Sequence, residues 1–212
     1  MKDYYINEIF WSPQGEGIRA GEMSLFVRFT GCNLRCSMES GELSPGGFNC
    51  DTEFASGRRM TSDEIIEYGM KLVNQPESWW SRNRAWVVFT GGEPALQLDR
   101  ELVSKFHLAG WNCAIETNGS KFVGDLGLDW ITVSPKVAEH AVKQLEATEI
   151  KYVRGFGQAI PKPSCSATYQ LLSPAFDGLT GDDSALAWCL KLIRENPQWR
   201  LSVQQHKLWK VR

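Results

Sequence analysis

The chain has 212 residues, enough for one domain with a sizeable core. Its 23 basic and 25 acidic residues leave a formal charge of −2, so no overall field favours nucleic acid or an anionic membrane. No apolar run approaches the roughly 20 residues that span a bilayer. The start, Met1-Lys2-Asp3-Tyr4-Tyr5, lacks the apolar segment of a secretory signal, so the expected location is cytoplasmic.

Apolar strand-like runs alternate with helical patterns, without a linker or short repeat. The first predicted strand, Leu25–Phe29, leads into Gly31-Cys32-Asn33-Leu34-Arg35-Cys36. The segment after it is rich in glycine and proline, reads as an irregular loop, and ends at Cys50. Thr61-Ser62-Asp63-Glu64 is a capping box that opens a helix through Leu72. The strand Trp86–Thr90 runs into Gly91-Gly92-Glu93-Pro94, and a helix from Asp99 to Leu108 stops at Gly110. Further strands are expected at Asn112–Glu116, Asp129–Val133, Glu149–Val153, Thr168–Leu172 and Arg200–Gln204. A helix carrying Leu186, Leu190 and Ile193, capped by Asp182 or Asp183, precedes the last of these.

Continuous runs such as Val87-Val88-Phe89 suit strands buried on both faces of a parallel sheet, and the alternation predicts an α/β fold. Seven strands are one short of an eightfold barrel, so an open barrel and a doubly wound sheet both fit. In either, function gathers at the C-terminal strand ends, where the cysteine loop and the Gly-Gly-Glu-Pro turn both lie.

Three of the six cysteines fall between 32 and 50. In a reducing compartment such a group favours a metal or catalytic role over disulfides. Three thiolates from one loop suit an iron–sulfur cluster that keeps one iron free, whereas structural zinc takes a fourth ligand, for which His206 is the rival candidate. Cys113 and Cys189 sit in apolar patterns and read as small buried hydrophobes, while Cys165 has no assigned role.

The cysteine loop and the Gly91–Pro94 turn resemble the radical S-adenosylmethionine superfamily. Within it the chain is similar to the 7-carboxy-7-deazaguanine synthase family, through Gln14-Gly15-Glu16-Gly17, Cys50-Asp51-Thr52 and Glu116-Thr117-Asn118-Gly119. Val133-Ser134-Pro135-Lys136, Glu149-Ile150-Lys151 and the tail from Leu201 to Lys207 continue the likeness almost to the C-terminus. One departure is clear: the superfamily spacing Cys-x3-Cys-x2-Cys is here Cys-x3-Cys-x13-Cys.

The resemblance implies a single open-barrel domain over 1–212, with a cluster loop at 31–52 and a tail at 200–212 that caps the substrate. It implies ring contraction of 6-carboxy-5,6,7,8-tetrahydropterin to 7-carboxy-7-deazaguanine with loss of ammonia. Cys32, Cys36 and Cys50 would hold a 4Fe-4S cluster whose fourth iron chelates S-adenosylmethionine. Asn49, Gly91, Gly92, Glu93, Ser134, Pro135, Lys136 and Ser173 would bind that cofactor. Pro13, Gln14, Gly15, Glu16, Arg28, Thr90, Glu116, His206 and Arg212 would contact the pterin, with Glu16, Arg28 and His206 closest to catalysis. Thr52 would bind Mg²⁺. An electron donor such as flavodoxin or ferredoxin and a homodimer are also implied, with no nucleic-acid or membrane partner. The plainer alternatives are a structural ion pair for Arg28, a structural His206 and a turn hydroxyl for Thr52. The rival functions are a radical-activating enzyme with a protein partner and a non-catalytic metal module.

Overall fold

The computed structural model describes residues 2–36, 50, 52–76, 84–175 and 183–211. Asn49, Asp51, Asp182 and Arg212 lie outside what is described; Asp183 is the first residue of a helix, and its side chain, with any cap it makes, lies outside it too. Nine strands form one open sheet in the order β3-β1-β2-β4-β5-β6-β7-β8-β9. They are β1 (Asp3–Pro13), β2 (Met23–Phe29), β3 (Arg58–Thr61), β4 (Ala85–Gly91) and β5 (Trp111–Thr117). β6 (Trp130–Val133), β7 (Glu146–Arg154), β8 (Ser166–Pro174) and β9 (Trp199–Leu201) complete it. Among the described residues the α-helices are α1 (Ser62–Val73), α2 (Arg100–Leu108), α3 (Asp183–Glu195) and α4 (Gln205–Trp209).

From β2 to β9 every pairing is parallel, and these seven strands are the seven expected from sequence. The two additions are antiparallel: β1 pairs with β2 and β3. β1 escapes a pattern reading because a bulge between Ile6 and Glu8 shifts its register. A bulge breaks the period of two, so Tyr4 and Ile6 face one side in phase with Ile9 rather than with Phe10. β3 is a four-residue edge strand that starts with two exposed arginines, which gives no apolar run to detect. β9 stops at Leu201 rather than Gln204, so residues 202–204 leave the sheet.

Thr61 and Glu64 form the expected capping box on α1, and Asp99 caps α2 by accepting from Leu102 N at 3.0 Å. α1 and α2 cover one face, where Leu25, Val27, Phe89, Phe106, Trp111 and Ile115 are fully buried. α3 covers the other end of that face over Ile150, Tyr152, Leu172 and Trp199, and Cys189 is buried there. Cys113 is also fully buried, as expected, and Cys165 proves to be nearly so. Because side chains alternate along a strand, the opposite face carries a different set. Phe26, Val88, Ala114 and Trp130 lie side by side on it across four strands. Two residues further along each strand the register brings up Arg28, Thr90, Glu116, Thr132 and Glu149. That polar row, near the C-terminal strand ends, places the candidate site. Among the described residues no helix is long and apolar enough to cross a membrane.

Candidate functional site

The rim of the site is made by loops that follow β2, β4, β5 and β6. Gly92 N donates to Phe29 O at 3.1 Å and Glu93 N to Gly31 O at 2.9 Å, so the glycine turn is strapped to the start of the cysteine loop. A Cβ on Gly92 would lie 2.1 Å from Gly31 O, and one on Gly91 would lie 2.3 Å from Phe29 O. Gly91 also has φ +125°, which side chains disfavour. The glycines therefore serve backbone–backbone approach within the protein. The Glu93 carboxylate is fully buried, and accepts from Thr117 Oγ1 at 2.6 Å, Asn118 N at 2.7 Å and Ala95 N at 3.0 Å. Burial nevertheless pushes its carboxyl above the ordinary value. The structure thus gives this side chain partners in β5 and its own turn, where a cofactor contact was expected. Asn118 Nδ2 reaches Asn33 Oδ1 at 3.1 Å, Asn33 Nδ2 reaches Ser120 Oγ at 2.9 Å, and Ser134 N donates to Thr117 O at 2.8 Å. The loops are locked into one ledge.

Cys32 and Cys36 are half-buried, Cys50 is exposed, and none forms a disulfide. Cys50 N donates to Cys36 O at 3.4 Å, which returns the third cysteine to the first two across the long insertion. Leu34 N points at Cys32 Sγ at 3.4 Å, a donor suited to a cluster-bound thiolate. Burial raises the Cys36 thiol, while Lys136 opposes that rise, so the Ser134–Lys136 loop lies electrostatically close to the cysteines. Lys136 Nζ donates to Ser134 Oγ at 2.8 Å. Tetrahedral zinc, with Zn–S near 2.3 Å, needs sulfurs about 3.8 Å apart. Among the described residues these three sulfurs are not gathered within 4.8 Å of one another, nor joined by His206.

The trio that does fall within 4.8 Å is His107, Cys113 and Asp129, towards the N-terminal ends of β5 and β6. It is satisfied internally: Asp129 Oδ2 takes His107 Nε2 at 2.8 Å and Cys113 N at 2.7 Å. It needs no ion to complete it.

Beneath the ledge is a cleft lined by Gln14, Glu16, Arg19, Glu116, Glu149 and Lys151, with Val88, Ala114 and Trp130 at its base. Glu116 accepts from Gln14 Nε2 at 3.0 Å and Thr90 Oγ1 at 3.2 Å. Glu149 accepts from Ile18 N at 2.7 Å and Thr132 Oγ1 at 3.1 Å. Lys151 forms a buried ion pair with Glu16, which also accepts from Gln204 Nε2 at 2.8 Å. Burial alone would raise the Glu16 carboxyl, but Lys151, Gln204 and His206 outweigh it and hold it well below the usual range. Burial likewise opposes the charge on Lys151, and Glu16, Glu116 and Glu149 reverse that effect, so the ammonium is kept. Glu149 lies the other way: burial dominates and raises its carboxyl.

The C-terminal tail closes the cleft. Gly17 N donates to Ser202 Oγ at 2.9 Å and Gln205 N to Gly15 O at 2.9 Å. A Cβ on Gly15 would fall 2.2 Å from His206 Nδ1, so this glycine makes room for the histidine. The free space left is about 10 Å³, enough for roughly one water. Arg28 stands at the row's β2 end, 3.5 Å from Glu8 Oε2 and 5.3 Å from the centre of the Phe10 ring. Its Nε is buried with no hydrogen-bond partner among the described residues.

The structure thus brings Gln14, Gly15, Glu16, Thr90, Glu116 and His206 into one assembly, with Arg28 at the end of its polar row. Pro13 ends β1 beside it, and Ser173 is buried near the C-terminal end of β8. Thr52 sits by the rim, its carbonyl 3.6 Å from Cys50 Sγ. Sequence reasoning missed four participants: Arg19, Thr132, Glu149 and Lys151. Glu149 and Lys151 did leave a signal, two charges within a strand otherwise predicted to be buried.

No family model matches the chain. It is 38% identical to the 7-carboxy-7-deazaguanine synthase of Nitratidesulfovibrio vulgaris over 96% of this chain and 97% of that one. It is 35% identical to the enzyme of that name from Bacteroides thetaiotaomicron, over 98% of each. The crystal structure of QueE from Escherichia coli superposes with a TM-score of 0.66 at 26% identity, covering 96% of this chain and 95% of that one. Near-complete coverage in both directions leaves no large region unmatched, and the ledge and cleft lie within it. The chain belongs to the 7-carboxy-7-deazaguanine synthase family.

Proposed function

We propose that the protein is a radical S-adenosylmethionine lyase. It would convert 6-carboxy-5,6,7,8-tetrahydropterin to 7-carboxy-7-deazaguanine with loss of ammonia, in queuosine or 7-deazapurine biosynthesis. The observation that carries this reading is the meeting of a three-cysteine loop and a buried row of carboxylates at the same strand ends. A protein-activating enzyme needs the first but has no use for the second. Cys32, Cys36 and Cys50 would hold the 4Fe-4S cluster. The turn at Gly91–Gly92, with Asn49, Ser134, Pro135, Lys136 and Ser173, would cradle S-adenosylmethionine. When bound and reduced, that pair supplies a 5′-deoxyadenosyl radical able to take a hydrogen atom from the substrate.

The protein's own residues would bind, orient and enclose. Glu16 and Glu116, both acceptors, suit the N–H groups on the guanine-like edge of a pterin, and Gln14 positions Glu116. Arg28, with an unpaired N–H, suits the substrate carboxylate as a charge-assisted partner. Thr90 orients Glu116, and Glu93, braced by Thr117, Asn118 and Ala95, would hold the turn against the methionyl end of the cofactor. Pro13 and Gly15 offer backbone contacts, and His206 with Arg212 would close the tail over the ring. Because the cleft has room for about one water, substrate entry requires the tail to lift and reclose. Thr52 would bind Mg²⁺ together with the substrate carboxylate. A flavodoxin or ferredoxin would donate the electron, and the enzyme would act in the cytoplasm as a homodimer.

The test is an anaerobic assay of reconstituted protein with the tetrahydropterin, S-adenosylmethionine, Mg²⁺ and a strong reductant, read by mass spectrometry. The expected product is 7-carboxy-7-deazaguanine. Formation of 5′-deoxyadenosine without it would reject the substrate and favour a protein partner.

A further inference from the structure

Arg19 is the least explained residue of the cleft. It lies in the turn between β1 and β2, yet is only 5% exposed. Its guanidinium carbon sits 3.9 Å from the centre of the Trp86 ring and 5.9 Å from that of Trp130. Nη2 donates to Ser24 Oγ at 3.2 Å. Glu22 Oε2 approaches Nε to 3.5 Å, but without hydrogen-bond alignment. Nε and Nη1 are both buried and have no hydrogen-bond partner among the described residues. Burial lowers the guanidinium's proton affinity, and Glu22, Glu116 and Glu149 oppose that. A buried donor left unpaired costs about 1–3 kcal/mol, more when charged, so its retention calls for a partner supplied from elsewhere.

Several other side chains lining the cleft donate to its carboxylates. Gln14 and Thr90 donate to Glu116, Thr132 to Glu149, and Lys151 to Glu16. The walls thus carry the three carboxylates of Glu16, Glu116 and Glu149 as acceptors, and Arg19 at the base offers two buried N–H groups with no partner among the described residues. A 2-amino-4-oxopyrimidine edge is the complement of such a surface. Its amino group and ring N–H donate, and its carbonyl accepts. We infer that Arg19 is a specificity-determining residue which donates to the C4 carbonyl of the pterin, while the carboxylates take the two N–H groups. This rests on the pterin substrate proposed above. Its stacking on Trp86 keeps the guanidinium in place when the tail lifts, so the donor is presented before the ring arrives.

The test compares binding of 6-carboxy-5,6,7,8-tetrahydropterin with that of its 2,4-diamino analogue, in which an amino group replaces the carbonyl. Equilibrium dialysis would use the holoprotein with cluster, S-adenosylmethionine and Mg²⁺ but no reductant, so nothing turns over. Mildly alkaline conditions keep both pyrimidine rings uncharged. Arg19→Met, which preserves packing on Trp86, should weaken the pterin roughly tenfold to a hundredfold. The diamino analogue should change by less than about threefold, since the lost donor never served it. Arg19→Lys should recover part of the pterin affinity, because an ammonium can donate to the same oxygen. That variant also carries the test if Arg19→Met does not fold. Equal losses for both ligands, or none, would overturn the proposal and leave Arg19 as a packing residue. If the wild type binds neither pteridine, the substrate assignment itself fails and this inference falls with it.

Discussion

The rim and the cleft of this site lie a few residues apart on the same strands, yet they are built from different parts of the chain. The rim is made largely of backbone: Gly92 N and Glu93 N donate to Phe29 O and Gly31 O, and neither Gly91 nor Gly92 has space for a Cβ. The cleft is made of side chains, and its members come from residue 14 to residue 206. A backbone structure tolerates no added atom but carries little charge. A side-chain structure tolerates changes of volume but depends on every charge having its partner. The two should therefore break in different ways.

The largest effect is expected from Lys151→Met. Lys151 is 8% exposed and is the cation that keeps Glu16 ionised. Removing one member of a buried pair strands the other, which costs roughly 3–5 kcal/mol. The Glu16 carboxyl would lose its strongest support and respond by taking up a proton. Thermal unfolding should show a large drop at neutral pH that narrows on acidification, and reconstituted iron per chain should be nearly unchanged in the folded fraction. A loss of stability independent of pH would mean that the pair does not hold Glu16 ionised.

Gly92→Ala should do the converse. The new Cβ would press on Gly31 O and Gly31 C at 2.1 and 2.6 Å, both main-chain atoms that cannot rotate away. Overpacking of this kind costs about 1–3 kcal/mol. Its local consequence should exceed that figure, because the displaced strap also positions Cys32. Iron retained after reconstitution should fall well below three-quarters of the wild-type value, with the pH dependence of unfolding unaltered. Full iron content in this variant would separate the glycine turn from the cysteine loop.

The same contrast explains what could be read from the sequence. Cys32, Cys36, Gly91 and Gly92 lie in short contiguous motifs, since a backbone clamp needs neighbouring residues with particular shapes. The seven parallel strands were legible for a similar reason: strands buried on both faces are continuous apolar runs. The cleft was legible only where a resemblance pointed to it. Nothing local to Arg19 marks it as buried, because the turn that carries it inward is fixed by Gln14 N on Glu22 O and by Ile18 N on Glu149. Lys151 looks like a misplaced charge in a strand until Glu16 arrives 135 positions earlier in the chain. The end of β9 was misplaced because Leu201 and Val203 continue an alternating apolar pattern past the sheet, while Ser202 and Gln204 bond to the turn at 16–17 instead.

Glu149→Gln should have the smallest effect and the opposite sign. Glu149 is 2% exposed, and burial raises its carboxyl while Ile18 N, Thr132 and Lys151 only partly compensate. An amide can keep both contacts: its oxygen accepts from Ile18 N, and its N–H₂ donates to a Thr132 hydroxyl that has rotated to accept. A carboxyl whose folded value is raised contributes stability that is present below its unfolded value and is lost as pH rises through the folded one. The wild type should therefore lose ground to the variant as pH increases from the ordinary carboxylate range upward. At neutral pH the variant should equal or exceed the wild type by about 1 kcal/mol, the scale of one partly compensated buried group. Melting curves collected across that range would decide it. Parallel curves would mean that Glu149 titrates alike in both states, and a variant that fell further behind with rising pH would mean that its charge is a net stabiliser. The second outcome would group Glu149 with Glu16, as a carboxylate the cleft holds ionised, and either would remove the one acid in the row that burial sets apart.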